Sequence, residues 1–208
     1  MIPAALDHLI LGCSDLAFAI EWVEKRLGIR ATFGGVHPGL GTHNALVSLG
    51  TKRYLELMAP DTSQSTLGWF SSLPQLTEPR LIGWAACSTD VAALRERLIQ
   101  AGIACQALRE GSRRHPDGGS LRWKTFMLSD DCQGLLPFFI EWNAASVHPA
   151  KGMVPECRLE RFQILTPSPE ELKRTLQILG VHAQVVRGAV SELQAVIGCS
   201  AGSIKMNS

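Results

Sequence analysis

Three side chains in this sequence stand where apolar strands would be simpler without them. His8 interrupts the run Leu6–Gly12, Glu56 lies in Tyr54-Leu55-Glu56-Leu57-Met58, and Glu141 lies in Phe139-Ile140-Glu141-Trp142. A carboxylate in an apolar strand costs too much to bury without a partner. A neutral imidazole with two carboxylates can hold Mn²⁺, Fe²⁺, Ni²⁺, Co²⁺ or Zn²⁺ and leave coordination positions for substrate. Glu56 and Glu141 could also exchange protons with a substrate as general bases. A second group of interest is the segment Arg109–Trp123, which holds Arg109, Arg113, Arg114 and Arg122 around the turn Pro116-Asp117-Gly118-Gly119. Guanidinium forks there suit a carboxylate or a phosphate. His43, at a turn entering a strand, and Trp123 are further candidates for touching a substrate, whereas His37, His115, His148 and His182 belong to no constellation and read as surface or loop residues.

These residues can meet only if the elements that carry them converge, and an internal repeat supplies the reason. Three segments each run from an apolar strand through a capping residue and an amphipathic helix to a glycine and a β-branched residue. They end at Gly28-Ile29, Gly102-Ile103 and Gly180-Val181. Ser14 or Asp15, a residue of Ser88 to Asp90, and Ser168 are placed to accept from free amides at the helix starts, with Pro169 at a first helical position. Leu16, Ile20, Val23 and Leu27 form one stripe on the first helix. Strand-like runs follow at 31–36, 45–49 and 54–58 in the first unit, and at 104–108, 121–128 and 136–142 in the second.

The expected fold class is therefore α+β: repeated βαβββ modules forming curved mixed sheets around a central cavity, with helices outside. The first module spans residues 1–75 and the second 76–145. A linker at 146–156 leads to a third, shortened module at 157–208. His8 and Glu56 sit in the first and last strands of module one, and Glu141 in the last strand of module two. Aligned on Asp15 and Asp90, the counterpart of His8 is Gly83, beside Trp84, and neither can ligate a metal.

The stretches DHLILGCSDL, GTHNALVSLGTKRYLELMAP, RRHPDGGSLRWKTFML and PFFIEW resemble the vicinal oxygen chelate superfamily, which includes glyoxalase I and the extradiol dioxygenases, and within it the glyoxalase-like domains. The resemblance covers residues 5–145. It implies metal ligands at His8, Glu56 and Glu141, a divalent Zn, Ni, Mn or Fe ion, and lyase, isomerase or dioxygenase chemistry on a small oxygenated substrate. A non-catalytic protein that sequesters a small molecule, and a homodimer serving a structural or regulatory role, remain the competing readings.

Composition narrows the field. The 208 residues carry a net charge of +1, which gives no electrostatic basis for nucleic acid or an anionic membrane as partner. The hydrophobic share of 46% against 19% charged marks a folded globular chain. The start lacks a basic n-region, no window offers an uninterrupted membrane-spanning run, and six scattered cysteines without a CxxC pair read as reduced thiols. The expected location is the cytoplasm. Neither a GxGxxG, a GxxxxGK nor a GxSxG pattern is present, so no nucleotide cofactor and no serine-hydrolase elbow are expected.

Overall fold

The computed structural model describes residues 2–64, 68, 70–114, 120–151, 153–154 and 156–208, without the side chains of Arg114 and Ser120. His115 and the turn at 116–119 lie outside the described residues. The first unit consists of β1 (Leu6–Gly12), α1 (Leu16–Leu27), β2 (Thr32–His37), β3 (Thr42–Ser48) and β4 (Tyr54–Pro60). The second consists of β5 (Arg80–Cys87), α2 (Val91–Gln100), β6 (Arg109–Arg114), β7 (Ser120–Phe126) and β8 (Phe138–Trp142). Their strands join in one eight-stranded sheet in the order β2-β3-β4-β1-β5-β8-β7-β6. In each half the first strand runs parallel to the last, β1 with β4 and β5 with β8, and the halves meet through the antiparallel pair β1–β5. The sheet curls until its edge strands β2 and β6 approach each other, enclosing a concave face.

The helices start and stop where local chemistry requires. Asp15 accepts from the Phe18 amide at 2.7 Å and Asp90 from the Ala93 amide at 2.9 Å. Gly28 ends α1 at φ 71°, a left-handed conformation that glycine adopts without the Cβ clash of other residues. The buried stripe of α1 is Leu16, Ala19, Val23 and Leu27. Residues 104–108, expected as a strand, contribute only an isolated bridge between Cys105 and Leu128, and the strand proper begins at Arg109.

The remaining residues form a second sheet. β9 (Cys157–Thr166), α3 (Pro169–Leu179), β10 (Gln184–Arg187), β11 (Glu192–Cys199) and β12 (Gly202–Asn207) repeat the order of element types seen in the first two units. Their wiring differs, because the strand order is β10-β9-β11-β12 and α3 joins two neighbouring parallel strands. α3 follows Ser168, whose side chain makes no capping bond; Thr166 Oγ1 instead accepts from the Ser168 amide. This sheet packs behind the large one: Phe162 of β9 meets Trp84 of β5 edge-on at 5.2 Å, and both belong to a single apolar core with α1 and α2. The reading of all six cysteines as reduced thiols needs correction, since Cys157 and Cys199 face each other across β9 and β11 and form a disulfide. Among the described residues no helix is long and apolar enough to cross a membrane.

Candidate functional site

The concave face holds a cleft of about 70 Å³. Pleating decides which residues reach it. β1 supplies His8; β4 supplies Tyr54, Glu56 and Met58; β3 supplies Thr42 and Asn44; β2 supplies His37. From the second unit come Arg113 of β6, Trp123 and Thr125 of β7, and Phe138, Ile140 and Trp142 of β8. One half of the lining is polar and the other largely apolar, a common profile for a small-molecule site.

Its floor is a buried network. His8 Nδ1 lies 2.7 Å from Asp7 Oδ1, and His8 Nε2 lies 3.3 Å from Glu56 Oε2. With a carboxylate at each ring nitrogen, His8 carries both protons and donates to both partners. Burial opposes that charge, but the hydrogen bonds and fields of Asp7 and Glu56 outweigh it and raise His8 to about 9. Burial likewise acts against an ionised Glu56, yet His8, the nearby His37 and the Asn44 amide bring it down to about 2. Asp7 is held well below the usual carboxylate range against its burial by His148 and His8. Asp7 reaches this network because β1 carries a bulge against β5 between Leu6 and His8, which turns a side chain of otherwise wrong parity toward the cleft. Its Oδ2 accepts from Trp142 Nε1 at 3.0 Å and lies 3.1 Å from His148 Nε2.

Asn44 joins this pair to the opposite wall. Its Nδ2 donates to Glu56 Oε1 at 2.5 Å and to His37 Nε2 at 3.2 Å, and its Oδ1 accepts from Arg113 Nη1 at 2.8 Å. An Nε2 that accepts must be unprotonated, so neutral His37 donates through Nδ1 to Thr42 Oγ1, 2.8 Å away. Burial, assisted by Arg113, lowers the proton affinity of His37 and keeps it neutral, with Glu56 pulling the other way. Tyr54 stacks on His8 at 4.5 Å, and burial pushes its hydroxyl well above its ordinary value.

Of the residues expected from sequence, His8, Glu56, Arg113 and Trp123 meet in this cleft. Glu141 does not join them. Ile140 and Trp142 face the cleft, so Glu141, one residue out of phase, faces away, and its Oε2 accepts from the Val91 amide at the start of α2 at 2.9 Å. Arg122 is exposed in a separate depression that Glu141 and Lys124 also line. His43 is half-buried between Thr42 and Asn44 on the opposite face of β3 from both. His37 and His148, read as surface or loop residues, belong to the site, as do Asp7 and Asn44. The signal for Asn44 was present in the alternation Thr42, Asn44 along β3; nothing in the sequence marks the bulge at Asp7.

A family model described as a glyoxalase-like domain matches residues 6–180. The chain belongs to that family. It thereby falls in the vicinal oxygen chelate superfamily, as the resemblance implies. No curated protein matches the chain. Among solved structures, a hypothetical protein from Staphylococcus aureus is 15% identical with a TM-score of 0.67, covering 89% of this chain and 87% of that one; the likeness shows the fold. Methylmalonyl-CoA epimerase from Mycobacterium tuberculosis is 21% identical with a TM-score of 0.49, covering 69% of this chain and 90% of that one.

The superfamily implies a divalent metal, and the donor set of this glyoxalase-like domain does not fit one. His8 is held between Asp7 and Glu56 through both ring nitrogens, and His37 Nε2 faces the Asn44 amide. The second unit offers apolar groups where ligands are needed: Ala85 stands opposite His8 in the sheet, and Phe138 and Ile140 line the cleft. Gly83 has no side chain, and Trp84 faces Phe162 and the Leu135 carbonyl. Among the described residues no three His, Cys, Asp or Glu side chains are grouped to hold a metal ion.

Proposed function

We propose that this glyoxalase-like domain is an enzyme of lyase or isomerase type that moves a proton on a small oxygenated molecule bound in the cleft, without a metal held by the protein. One observation carries the reading: the ionised Glu56 is buried against the His8 imidazolium on the floor of an apolar-walled cleft, so a proton acceptor and a proton donor face one enclosed space. Glu56 takes the proton from a carbon next to a carbonyl. The C–H electron pair moves into the carbonyl to give an enolate, and the proton then returns to that carbon or to its neighbour. His8 keeps Glu56 ionised between turnovers, and water is kept out by Trp123, Trp142, Met58 and Phe138. Dioxygenase chemistry is not carried forward, because Gly83 stands at the counterpart of His8 and the last strand of the second unit turns Phe138 and Ile140 into the cleft, none of which can ligate a metal.

A sequestering role is the second reading, and a specific observation favours it. Both Glu56 oxygens already face hydrogen-bond donors, and a carboxyl held at about 2 is a weak base. Deuterium wash-in separates the two. Chelator-treated protein in D2O is incubated with a panel of small carbonyl compounds, and the α-proton signals are followed by NMR. Loss of an α-proton signal with the parent but not with Glu56→Gln supports the enzyme. A compound that binds without exchange supports sequestration, and failure of the whole panel to bind or exchange refutes both.

A further inference from the structure

Arg113 is 3% exposed and lines the cleft, yet among the described residues no carboxylate lies within salt-bridge distance of its guanidinium. Among the described residues its hydrogen-bond partner is the neutral Asn44, through Nη1. A buried cation without a counter-ion is costly, and retaining one on the wall of a cavity is accounted for if the counter-ion arrives with the ligand. The guanidinium lines the cleft, where a bound ligand can meet it. Space has been made for this arrangement. A Cβ on Gly34 would stand 2.3 Å from both Arg113 Nη1 and Asn44 Oδ1, so any other residue there would have to displace the pair from this position.

The geometry points to a short-chain carboxylate, a 2-oxo or 2-hydroxy acid, as the ligand class of this cleft, with its carboxylate on Arg113 and its second carbon toward Glu56. This rests on the cleft being the working site. Planar guanidinium matches planar carboxylate in a two-point contact. Arg113 and Glu56 stand one side-chain amide apart, both hydrogen-bonded to Asn44, which is the spacing of a carboxylate from the group next to it. The cavity limits size. An apolar cavity of about 150 Å³ takes up benzene; at about 70 Å³ this one takes only an acid of a few heavy atoms, about the size of glycolate or pyruvate.

The alternative is that Arg113 only clips β6 to β3 across the open seam of the sheet. Isothermal titration at neutral pH with pyruvate, its uncharged amide pyruvamide, glycolate and inorganic phosphate separates the two. The expected result is saturable binding of pyruvate or glycolate to the parent, with pyruvamide at least about tenfold weaker, the loss a charge-assisted hydrogen bond predicts. Arg113→Gln should show the same loss while retaining a cooperative melt, and Arg113→Lys should recover part of it. The comparison of pyruvate with pyruvamide on the parent needs no variant to fold. Pyruvamide binding as tightly as pyruvate, phosphate competing as well as either acid, unaltered affinity in Arg113→Gln, or no binding of either acid at tens of millimolar would each overturn the inference. An acid that binds on Arg113 without α-proton exchange sustains this inference and sinks the enzyme reading. Exchange of a neutral ketone does the reverse.

Discussion

The Asp7–His8–Glu56 chain predicts how the protein should lose stability in alkali. The folded state holds the His8 proton to about pH 9, against 6.5 for a free imidazole. A group bound more tightly to its proton in the folded state adds stability that is complete below pH 6.5 and is lost as the pH rises through 9. The span is 9 − 6.5 = 2.5 pH units, which at about 1.36 kcal/mol per unit amounts to about 3 kcal/mol. Against a typical total of about 5–15 kcal/mol that is a large share. Urea denaturation of the parent and of His8→Gln at pH 6, 7, 8, 9 and 9.5 measures it. Other titrating groups contribute equally to both proteins, so the difference between the two curves isolates His8. The parent should lose about 3 kcal/mol relative to the variant across the range, at a slope near 1.4 kcal/mol per pH unit in its middle. Parallel curves would refute the reasoning. Should the variant fail to fold, an NMR titration of the His8 ring in the parent serves instead, and a midpoint near 6.5 is the refuting result. The same ion pair shows from its acid side through Glu56, whose contribution is complete above 4.5 and lost as pH falls toward 2.

Three further outcomes are expected. Glu141→Ala should cost about 1 kcal/mol by removing the acceptor at the start of α2, with ligand affinity unchanged; a lost ligand site in titration calorimetry would return Glu141 to the cleft. Reducing Cys157–Cys199, which closes a sequence separation of 42, should lower stability by about 4 kcal/mol on the loop-closure relation. Cys157→Ser should then be indifferent to dithiothreitol, and identical urea midpoints with and without reductant in the parent would contradict the bridge. Elemental mass spectrometry of the purified protein should find no stoichiometric Zn, Ni, Mn or Fe, and chelator treatment should leave ligand affinity as it was. Stoichiometric metal that disappears in Glu56→Gln would show that His8 gives up a proton to coordinate.

Much of this architecture was legible because strand and helix periods differ. The α1 stripe, the Asp15 and Asp90 caps and the closing glycines all carry local signatures that survive without tertiary context. His8 and Glu56 were identified for the same reason, as polar residues at positions of a pleat that must be partnered if buried. Glu141 shows the limit of that argument. Period-two alternation fixes which residues share a face but not which face is concave, and a shift of one position exchanges the two. The sequence pointed to Glu141, and only the pairing of β8 with β5 and its contact with the first turn of α2 turn Ile140 inward instead. Asp7 and His148 required more, because a bulge and a contact spanning 141 residues of sequence bring them together. The disulfide is of the same kind: Cys157 and Cys199 become neighbours only through the register of β9 with β11.

The two halves of the large sheet are alike in wiring and unlike in lining. β1, β3 and β4 present His8, Asn44 and Glu56, whereas β8 presents Phe138 and Ile140. A cleft between two chemically identical walls cannot tell one end of a guest from the other, nor the two faces of a planar carbon. Here the first unit sets Glu56 over the guest and the second sets Arg113 beside the apolar Phe138 and Ile140, so a guest held on Arg113 has one orientation and a flat centre above Glu56 shows it a single side. The arrangement of residues across the sheet thus favours a stereoselective site, with handedness set by which half carries Glu56 and which carries Arg113.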